Sequence, residues 1–289
     1  SIMHAYRHGL HILPIWMRTK EFIVGITCLF LSPSVLAWGA QGHRIIGAAA
    51  FEMLDDTARS EVLSLLGNPP ESDMAESLAA ACTWPDTVRK DAKWNWSAPL
   101  HYVNIPRHTP HYDRERDCPD GRCGAEGIVH FANRLAYPSQ DNDKRFQDFA
   151  FVCHLVADLH QPLHAGFRDD RGANTVDIEF RGDEWNLHQF WDSVNVRAHL
   201  EDEPAMVQRL VSLGRGRAAA GWSPAEVKAW AEESHALAAE MAYPESRVIE
   251  EAFSQNSWEL TVSQWQLASE RLARVLNAAL GESEVILDD

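Results

Sequence analysis

The segments His154–His164 (HLVADLHQPLH) and Asn186–Asp192 (NLHQFWD) combine imidazoles with carboxylates at the spacing of a helix. His154 and Asp158 are four residues apart, as are His188 and Asp192, so each pair shares one helix face. Imidazole nitrogen and carboxylate oxygen both bind Zn²⁺ in proteins. A single pair at this spacing is more often a solvated salt bridge or a core histidine. Two such pairs, with His164 between them, predict a metal site.

Residues of the same types lie N-terminal to this stretch. They are His43, which closes the motif Trp38-Gly-Ala-Gln-Gly-His, Asp86 in Trp-Pro-Asp, and His101 before a tyrosine. With the five residues above they supply eight histidine or aspartate ligands. The α-amine of Trp38 would add another if the mature chain began there. Because one zinc site of this kind uses about four ligands, the set is large enough for more than one ion.

Residues 1–37 have the pattern of a secretory signal peptide with an upstream extension. Basic residues follow Met17, an apolar run covers residues 22–31, and a small-residue cleavage site ends at Ala37. The apolar run is too short to span a bilayer, so no membrane anchor is expected. We therefore predict a secreted or periplasmic protein whose single domain covers residues 38–289.

The chain is acidic, with a formal net charge of −16. Such a chain is not expected to attract nucleic acid phosphates through its overall surface charge. An anionic substrate would need a local positive centre inside a cleft, and a bound metal ion would supply one.

Four cysteines remain after the predicted cleavage site: Cys82, Cys118, Cys123 and Cys153. An even number in an exported protein is compatible with disulfides. Cys118 and Cys123 could close a small loop. The sequence leaves open whether Cys82 and Cys153 pair or stay reduced.

Hydrophobic periodicity predicts a mainly α fold, a single all-helical domain with one small β-hairpin. Alternating apolar and polar residues place the hairpin near residues 176–183. Residues 97–104 are predicted to be extended, residues 106–125 to be a polar surface loop, and the chain after residue 200 to be helices without chemistry of their own. In that region Ser223 is the expected cap of one helix, and Gly281 ends another. Earlier helices are predicted over residues 43–54, 58–66, 76–82, 127–136 and 146–159.

The combination of motifs resembles the zinc-dependent, single-strand-specific nucleases of the fungal S1 and P1 type. The matching pieces are Trp38-Gly-x-x-Gly-His43, Trp84-x-Asp86, Leu-His101, His154-x3-Asp158-x5-His164, Gly172-Ala-Asn174 and Asn-Leu-His188-x2-Trp-Asp192. They occur in order and cover essentially the whole mature chain. The resemblance implies the fold shared by phospholipase C and nuclease P1.

The resemblance also implies a site for three Zn²⁺ ions per chain. The first ion would be bound by Asp86, His101, His154 and Asp158. The second would be bound by His164, His188 and Asp192. The third would be bound by the amine and carbonyl of Trp38, by His43, and by Asp158 acting as a bridge.

The implied reaction is hydrolysis of phosphodiester bonds in single-stranded RNA and DNA to 5′-phosphorylated products, with 3′-nucleotidase activity on mononucleotides. By resemblance, Asp86 would orient the attacking water, and Arg89 would stabilise charge that develops on the phosphoryl group. Tyr102 would stack a base and Asn174 would bind its edge. Asn104 stands where the family has an acidic residue, and an amide can donate as well as accept. The protein is expected to be a monomer.

Two alternatives remain open from the sequence. A zinc-dependent phospholipase C resembles this chain in having a helical fold and an N-terminal tryptophan ligand. Its last zinc pair resembles His-x3-Glu, whereas this chain has His188-x3-Asp192, which favours the nuclease. The other alternative is a secreted, non-catalytic metal-binding protein, against which Asp86 and Arg89 argue weakly.

Overall fold

The structure is a computed structural model that describes residues 38–137, 141–214 and 218–281. The predicted signal segment at residues 1–37 lies outside the described residues. The described residues belong to one compact unit. Among the described helices, none combines the length and the apolar composition that crossing a membrane requires.

The predicted fold class is confirmed: the described chain is mainly helical, with one two-stranded antiparallel hairpin. The hairpin pairs Ile178 with Trp185 across its strands, close to the predicted position. Its strands are β1 (Asp177–Phe180) and β2 (Asp183–Asn186). The helices are α1 (Gly39–Glu52), α2 (Asp56–Leu65), α3 (Glu71–Val88), α4 (Arg114–Asp117), α5 (Gly124–Ala136), α6 (Asn142–Leu159), α7 (Leu187–Gln189), α8 (Asn195–His199), α9 (Glu203–Leu213), α10 (Pro224–Met241) and α11 (Glu251–Leu280).

Helix α6 is the centre of the fold. Every residue from Asp148 to Leu159 is buried, so this helix is enclosed on all faces rather than on one stripe. Helices α1, α3, α5 and α11 pack around it. A helix enclosed in this way has no solvent to satisfy its polar side chains. His154 and Asp158 therefore need partners within the protein.

The prediction that a helix ends before Trp84-Pro85-Asp86 is wrong. Helix α3 continues through Pro85 to Val88, so Asp86 lies within its last turns. Proline removes one backbone donor, but the carbonyl of Pro85 still accepts a hydrogen bond from the backbone N–H of Arg89. The helix therefore presents Asp86 toward the core instead of releasing it into a loop.

The extended segment predicted at residues 97–104 is also wrong over most of its length. Residues Asn95–His101 form a 3-10 helix that contains Pro99, and the backbone becomes extended only at Tyr102. Both the backbone N–H and the hydroxyl of Ser97 donate to the carbonyl of Trp94, which supports this turn. The change of backbone direction at Tyr102 leaves His101 buried and Tyr102 exposed.

The segment 106–125 is a loop with short helical pieces, α4 and a 3-10 turn at Pro119–Gly121. It is less exposed than predicted, because Tyr112, Asp117 and Cys118 are buried. A disulfide between Cys118 and Cys123 closes a small loop near its end, as the sequence indicated.

The second disulfide joins Cys82 of α3 to Cys153 of α6, which answers the question that the sequence left open. Gly47 of α1 packs directly on this bridge, since a Cβ at that position would lie 2.6 Å from Sγ of Cys82. Disulfides of this kind are typical of proteins that fold in an oxidising compartment.

The C-terminal helices support the centre, as predicted. Ser223 caps α10, and α11 ends at Gly281. Ser234 of α10 donates to the carbonyl of Leu159 at 2.6 Å, where α6 ends. Trp265 of α11 packs edge-on against Trp38, with ring centroids 5.8 Å apart.

Candidate metal centre

Asp158 lies at the middle of a buried cluster of imidazoles and carboxylates. Its Oδ2 is 3.0 Å from Nδ1 of His101 and 3.2 Å from Nε2 of His154. Its Oδ1 is 3.3 Å from Nε2 of His43 and 3.6 Å from Nδ1 of His164. The two oxygens of one carboxylate thus face separate sets of histidines, which is the arrangement of a bridging ligand.

Three groups of side chains in the described chain could each hold a metal ion. All members are buried, and two groups share His154, so the ions would be neighbours rather than independent sites. The groups are His43, His154 and Asp158; Asp86, His101 and His154; and His164, His188 and Asp192. All eight histidine and aspartate ligands predicted from the sequence are therefore brought together.

Backbone carbonyls orient three of these rings. Nδ1 of His154 donates to the carbonyl of Cys82 at 2.9 Å, Nδ1 of His164 to that of His101 at 2.7 Å, and Nδ1 of His188 to that of Gly172 at 2.6 Å. Because a carbonyl can only accept, each Nδ1 carries a proton, so Nε2 is the nitrogen of each ring that a metal ion would take. In each of these rings Nε2 faces a carboxylate of the cluster, Asp158 for His154 and Asp192 for His164 and His188.

The group at His164, His188 and Asp192 depends on local backbone geometry. Asn186 caps the short helix α7, and the chain then continues through a π-helical turn at Phe190–Val194 that carries Asp192. Nε2 of His188 lies 3.2 Å from Oδ2 of Asp192, and Gln161 donates to Oδ1 of the same carboxylate at 2.6 Å. An amide that positions a ligand carboxylate is a usual feature of metal sites.

The residues fit a metal centre because buried ligand atoms lack hydrogen bonds with the rest of the described chain. They include both ring nitrogens of His43, Nε2 of His164, Oδ1 of Asp158 and Oδ2 of Asp192. A buried polar atom without a partner costs about 1–3 kcal/mol. Several such atoms facing one another are explained by a cation that binds them all.

His160 provides a contrast two residues beyond Asp158. It is equally buried, but its Nδ1 donates to the carbonyl of Val156 at 2.7 Å and its Nε2 accepts from Arg271 at 2.9 Å. Burial, with the charge of Arg271, lowers the pKa of His160 to about 3. Both nitrogens are satisfied, so this ring is a structural histidine.

The charges of the cluster keep the carboxylate of Asp158 ionised. Burial opposes ionisation of Asp158, but His154 and His164 outweigh it and hold the pKa of this carboxyl well below its usual range. Burial likewise opposes protonation of His154, yet Asp158 and Asp86 raise its pKa to about 9. Anionic oxygens are therefore present in the buried centre at neutral pH, as metal binding requires.

Trp38 is the predicted ligand that would use its backbone amine and carbonyl rather than its side chain. Its indole is fully buried, and its backbone carbonyl accepts a hydrogen bond from Gly42 at 3.1 Å. Its nitrogen is part of a peptide bond in the full chain. The role of the Trp38 amine and carbonyl therefore stays a prediction.

A cavity of about 270 Å³ opens beside the cluster. It brings together the predicted base-binding residues Tyr102, Asn104 and Asn174 with Arg89, and three of the buried histidines line it as well. Nε of Arg89 lies 3.3 Å from Oδ1 of Asp86. The predicted catalytic pair is thus in contact, at the edge of the cavity.

Arg171 also lines this cavity and was missed from the sequence. It begins a run of three residues, continued by Gly172 and Ala173, that all have positive φ angles of 59° to 63°. Gly172 is required there, because a Cβ would lie 2.3 Å from the carbonyl oxygen of Leu163. The position of Arg171, directly before the Gly-Ala-Asn motif, was the available signal.

The loop that carries Arg171 is held by Asp170. Asp170 accepts hydrogen bonds from the hydroxyl of Tyr243 at 2.6 Å, from Arg107 at 2.9 Å and from the backbone N–H of Ala173 at 2.7 Å. The side chain of Asn174 donates to the carbonyl of Arg171 at 2.9 Å. These bonds fix the part of the cavity lining that Arg171 and Asn174 form.

Comparison with known proteins identifies the family of the chain. The family model of the S1/P1 nucleases matches residues 38–281. The chain belongs to the S1/P1 nuclease family. The match includes every side chain of the cluster, so the buried imidazoles and carboxylates lie within the region that defines the family.

Individual relatives are plant and fungal proteins. Endonuclease 2 of Arabidopsis thaliana is 35% identical over 199 residues, which is 65% of this chain and 64% of the relative. Endonuclease 5 of the same plant is 32% identical over 227 residues, covering 73% of this chain and 74% of the relative. Nuclease P1 of Penicillium citrinum is 30% identical over 162 residues, covering 54% of this chain and 57% of that protein.

Proposed function

We propose that the protein is a zinc-dependent endonuclease that hydrolyses phosphodiester bonds of single-stranded RNA and DNA and leaves 5′-phosphates, with 3′-nucleotidase activity on mononucleotides. One observation carries this proposal. The buried histidine and aspartate groups adjoin the cavity that contains Arg89, Tyr102 and Asn174. A metal centre, a cation and an aromatic ring are what a phosphate joined to a nucleoside requires.

Three zinc ions would be held as the family resemblance implies. Asp86, His101, His154 and Asp158 would bind the first, and His164, His188 and Asp192 the second. Trp38, His43 and Asp158 would bind the third. When bound, zinc would supply Lewis-acid charge and the capacity to ionise water near neutral pH.

The chain's own residues would position the substrate. Arg89 would place its guanidinium on the phosphoryl oxygens while it remains in contact with Asp86, which would orient the attacking water. Tyr102, which is 42% exposed, offers a ring face for a base. Asn104 and Asn174 would contact the edge of that base, and burial of the ligand side chains limits access of bulk water to them.

We also propose that the protein acts outside the cytoplasm, in the periplasm or as a secreted enzyme. Its two disulfides support an oxidising compartment. Single-stranded nucleic acid and 3′-nucleotides would be its substrates, and it would act as a monomer with one domain over residues 38–289.

The test is a substrate comparison with the chain that begins at Trp38. Phosphate release from 3′-AMP, cleavage of a single-stranded DNA oligonucleotide and hydrolysis of phosphatidylcholine are measured side by side. We expect the first two reactions and not the third. Arg89→Gln should lower kcat about a hundredfold, which is the effect in other enzymes of removing one hydrogen-bond donor to the charge that develops in the transition state.

Each alternative has its own outcome in the same experiment. Turnover of phosphatidylcholine alone would indicate a phospholipase C. Zinc binding without turnover of any substrate would indicate a metal-binding protein that is not an enzyme.

A further inference from the structure

A second cavity adjoins the first and has a different chemical character. It has a volume of about 400 Å³, and Tyr102 and Asn104 line both cavities, so these two residues form the boundary between them. The far wall of the second cavity contains Arg116, Arg122 and Arg168. A group of three arginines stands out in a chain with a net charge of −16.

Two of these arginines share one carboxylate. Buried Asp117 accepts from Arg116 at 2.8 and 2.7 Å and from Arg168 at 2.9 Å. One negative charge therefore faces two positive charges, and the arginine pair keeps a surplus of positive charge. This surplus lies at the surface, because Arg116 and Arg168 have side chains that are 36% and 47% exposed.

Arg168 keeps donors available for a ligand. Its hydrogen bonds within the described chain, to the carbonyls of Asn104 and Arg116 and to Asp117, all use Nη2. Nε and Nη1 are left for another acceptor. A guanidinium held along one edge, with its other donors accessible, is well suited to a phosphate.

Arg122 is the third cation, and it sits on a short covalently closed loop. The disulfide from Cys118 to Cys123 spans five positions, and Asp120 and Gly121 have positive φ angles of 59° and 68° that make the turn tight. Arg122 approaches only the exposed carboxylate of Asp120, at 3.5 Å, among the described residues. An exposed pair of this kind is weak, so a phosphate can compete for Arg122.

The closed loop is fixed against the base-binding segment. The backbone N–H of Gly124 donates to the carbonyl of Tyr102 at 3.0 Å. A Cβ at Gly124 would lie 3.1 Å from the carbonyl oxygen of Leu100, so only glycine allows this approach without a shift. The backbone next to Arg122 is therefore tied directly to the backbone of Tyr102.

We propose that this second cavity, which we call the arginine subsite (Arg116, Arg122 and Arg168), binds the phosphate of the nucleotide next to the one held at Tyr102. The ligand is the backbone of a single-stranded polynucleotide, because a strand that lies over Tyr102 and Asn104 passes from one cavity into the other. A 3′-mononucleotide whose base is on Tyr102 has one phosphate, which the metal centre would hold, and has no second phosphate for the arginine subsite. The arginine subsite rests on the proposed nuclease function and adds a preference for polymers.

The experiment compares kcat/KM for a tetrathymidylate with kcat/KM for 3′-AMP in Arg122→Gln, Arg122→Lys and the wild type. In Arg122→Gln, we expect the ratio of the two values to fall about tenfold, as expected for loss of one charge-assisted hydrogen bond. Arg122→Lys should restore part of the ratio. Arg247→Gln removes an exposed arginine that pairs with Glu184 outside both cavities, and it should leave the ratio unchanged.

A second readout does not depend on turnover. Binding of a phosphorothioate oligonucleotide, measured by fluorescence anisotropy at several salt concentrations, should show a salt slope that is smaller by about 0.7 in Arg122→Gln. An unchanged ratio and an unchanged slope, in a wild type that cleaves both substrates, would overturn the arginine subsite alone. A wild type that cleaves neither substrate would overturn the proposed function itself.

Discussion

The carbonyl oxygen of Cys82 accepts a hydrogen bond from Nδ1 of His154 at 2.9 Å. Cys82 is also bonded to Cys153, the residue directly before His154. One covalent bridge and one hydrogen bond therefore fix His154 against α3, the helix that carries Asp86. This disulfide therefore adjoins the hydrogen bond that orients His154, a candidate metal ligand, in addition to linking two helices.

Loss of this disulfide should affect both stability and the metal centre. The bridge spans 71 residues, so Cys82→Ala/Cys153→Ala should lower the free energy of unfolding by about 4 kcal/mol on the loop-entropy model. Zinc affinity should fall as well. The control is Cys118→Ala/Cys123→Ala, whose loop of 5 residues predicts about 2 kcal/mol and no change in zinc affinity. Equal effects of both variants on zinc affinity, in equilibrium titrations, would argue against the positioning role.

Asp158 should be the residue on which the centre depends most. Its two oxygens face four histidines, so Asp158→Asn should abolish phosphate release and lower the number of zinc ions per chain. Asp148→Asn is a matched control, because Asp148 is buried on the same helix and contacts Arg134 at 3.3 Å instead of the cluster. A variant at Asp158 that keeps its zinc and its turnover would remove this residue from the site.

The raised pKa of Asp148 should make the stability of the fold depend on pH, and this effect does not require a bound metal ion. Burial, partly offset by Arg134, raises the pKa of Asp148 to about 6 from an ordinary value of 3.8. Between these values the folded chain binds the proton more than the unfolded chain does, so stability falls as pH rises. Relative to Asp148→Asn, the wild type should therefore lose stability between pH 4 and pH 7. Urea unfolding of both proteins at both pH values measures this, and parallel curves would contradict the assignment.

Tyr102 should contribute to binding more than to metal retention. Tyr102→Ala should weaken binding of single-stranded substrate by about 1–3 kcal/mol, the range for one base stack, with the zinc content unchanged. Tyr102→Phe keeps the ring and should bind nearly as well as the wild type. Lost metal with intact affinity would show instead that Tyr102 is a packing residue.

Asn104 should influence which base is preferred. Asn104→Asp replaces an amide, which can donate and accept, by a carboxylate that only accepts. The ranking of the four 3′-nucleotides by kcat/KM should therefore change. An identical ranking in both proteins would exclude a base-reading role for Asn104.

Processing at Trp38 should act as an activation step. An amine within a peptide bond cannot bind zinc, whereas a free α-amine has an ordinary pKa of about 7.7–8.0 and loses its proton to a metal readily. A chain with one glycine added before Trp38 should therefore bind its third zinc poorly and hydrolyse 3′-AMP slowly. Equal zinc content and equal turnover in the two chains would contradict the third site.

The sequence predicted the fold class, because long helices with strong periodicity and a short alternating hairpin are determined by local pattern. The sequence-based prediction was wrong at Pro85 and at residues 97–101. Each of these helical turns includes a proline, and the low helix propensity of proline alone predicts a non-helical segment there. Pro85 and Pro99 each lack a backbone N–H donor. Packing of α3 on α6, and of the 3-10 helix on both α5 and α6, outweighs the loss of these hydrogen bonds. Both errors lie beside candidate ligands, where tertiary contacts govern the backbone most.

The candidate ligands could be named from spacing, but their orientation could not. The carbonyls of Cys82, His101 and Gly172 that fix the histidine tautomers carry no signal in the sequence, since every residue has a carbonyl. The grouping of Arg116, Arg122 and Arg168 was hidden for a different reason. Net charge averages over the whole chain, and only the folded chain shows that the three arginines line one cavity.

Elemental analysis of the zinc bound per chain is the most direct test of the buried centre. The protein that begins at Trp38 is dialysed against metal-free buffer and its zinc is measured against its concentration. We expect three ions per chain, one for each of the three groups of ligands. Two or fewer ions per chain would contradict the trinuclear centre.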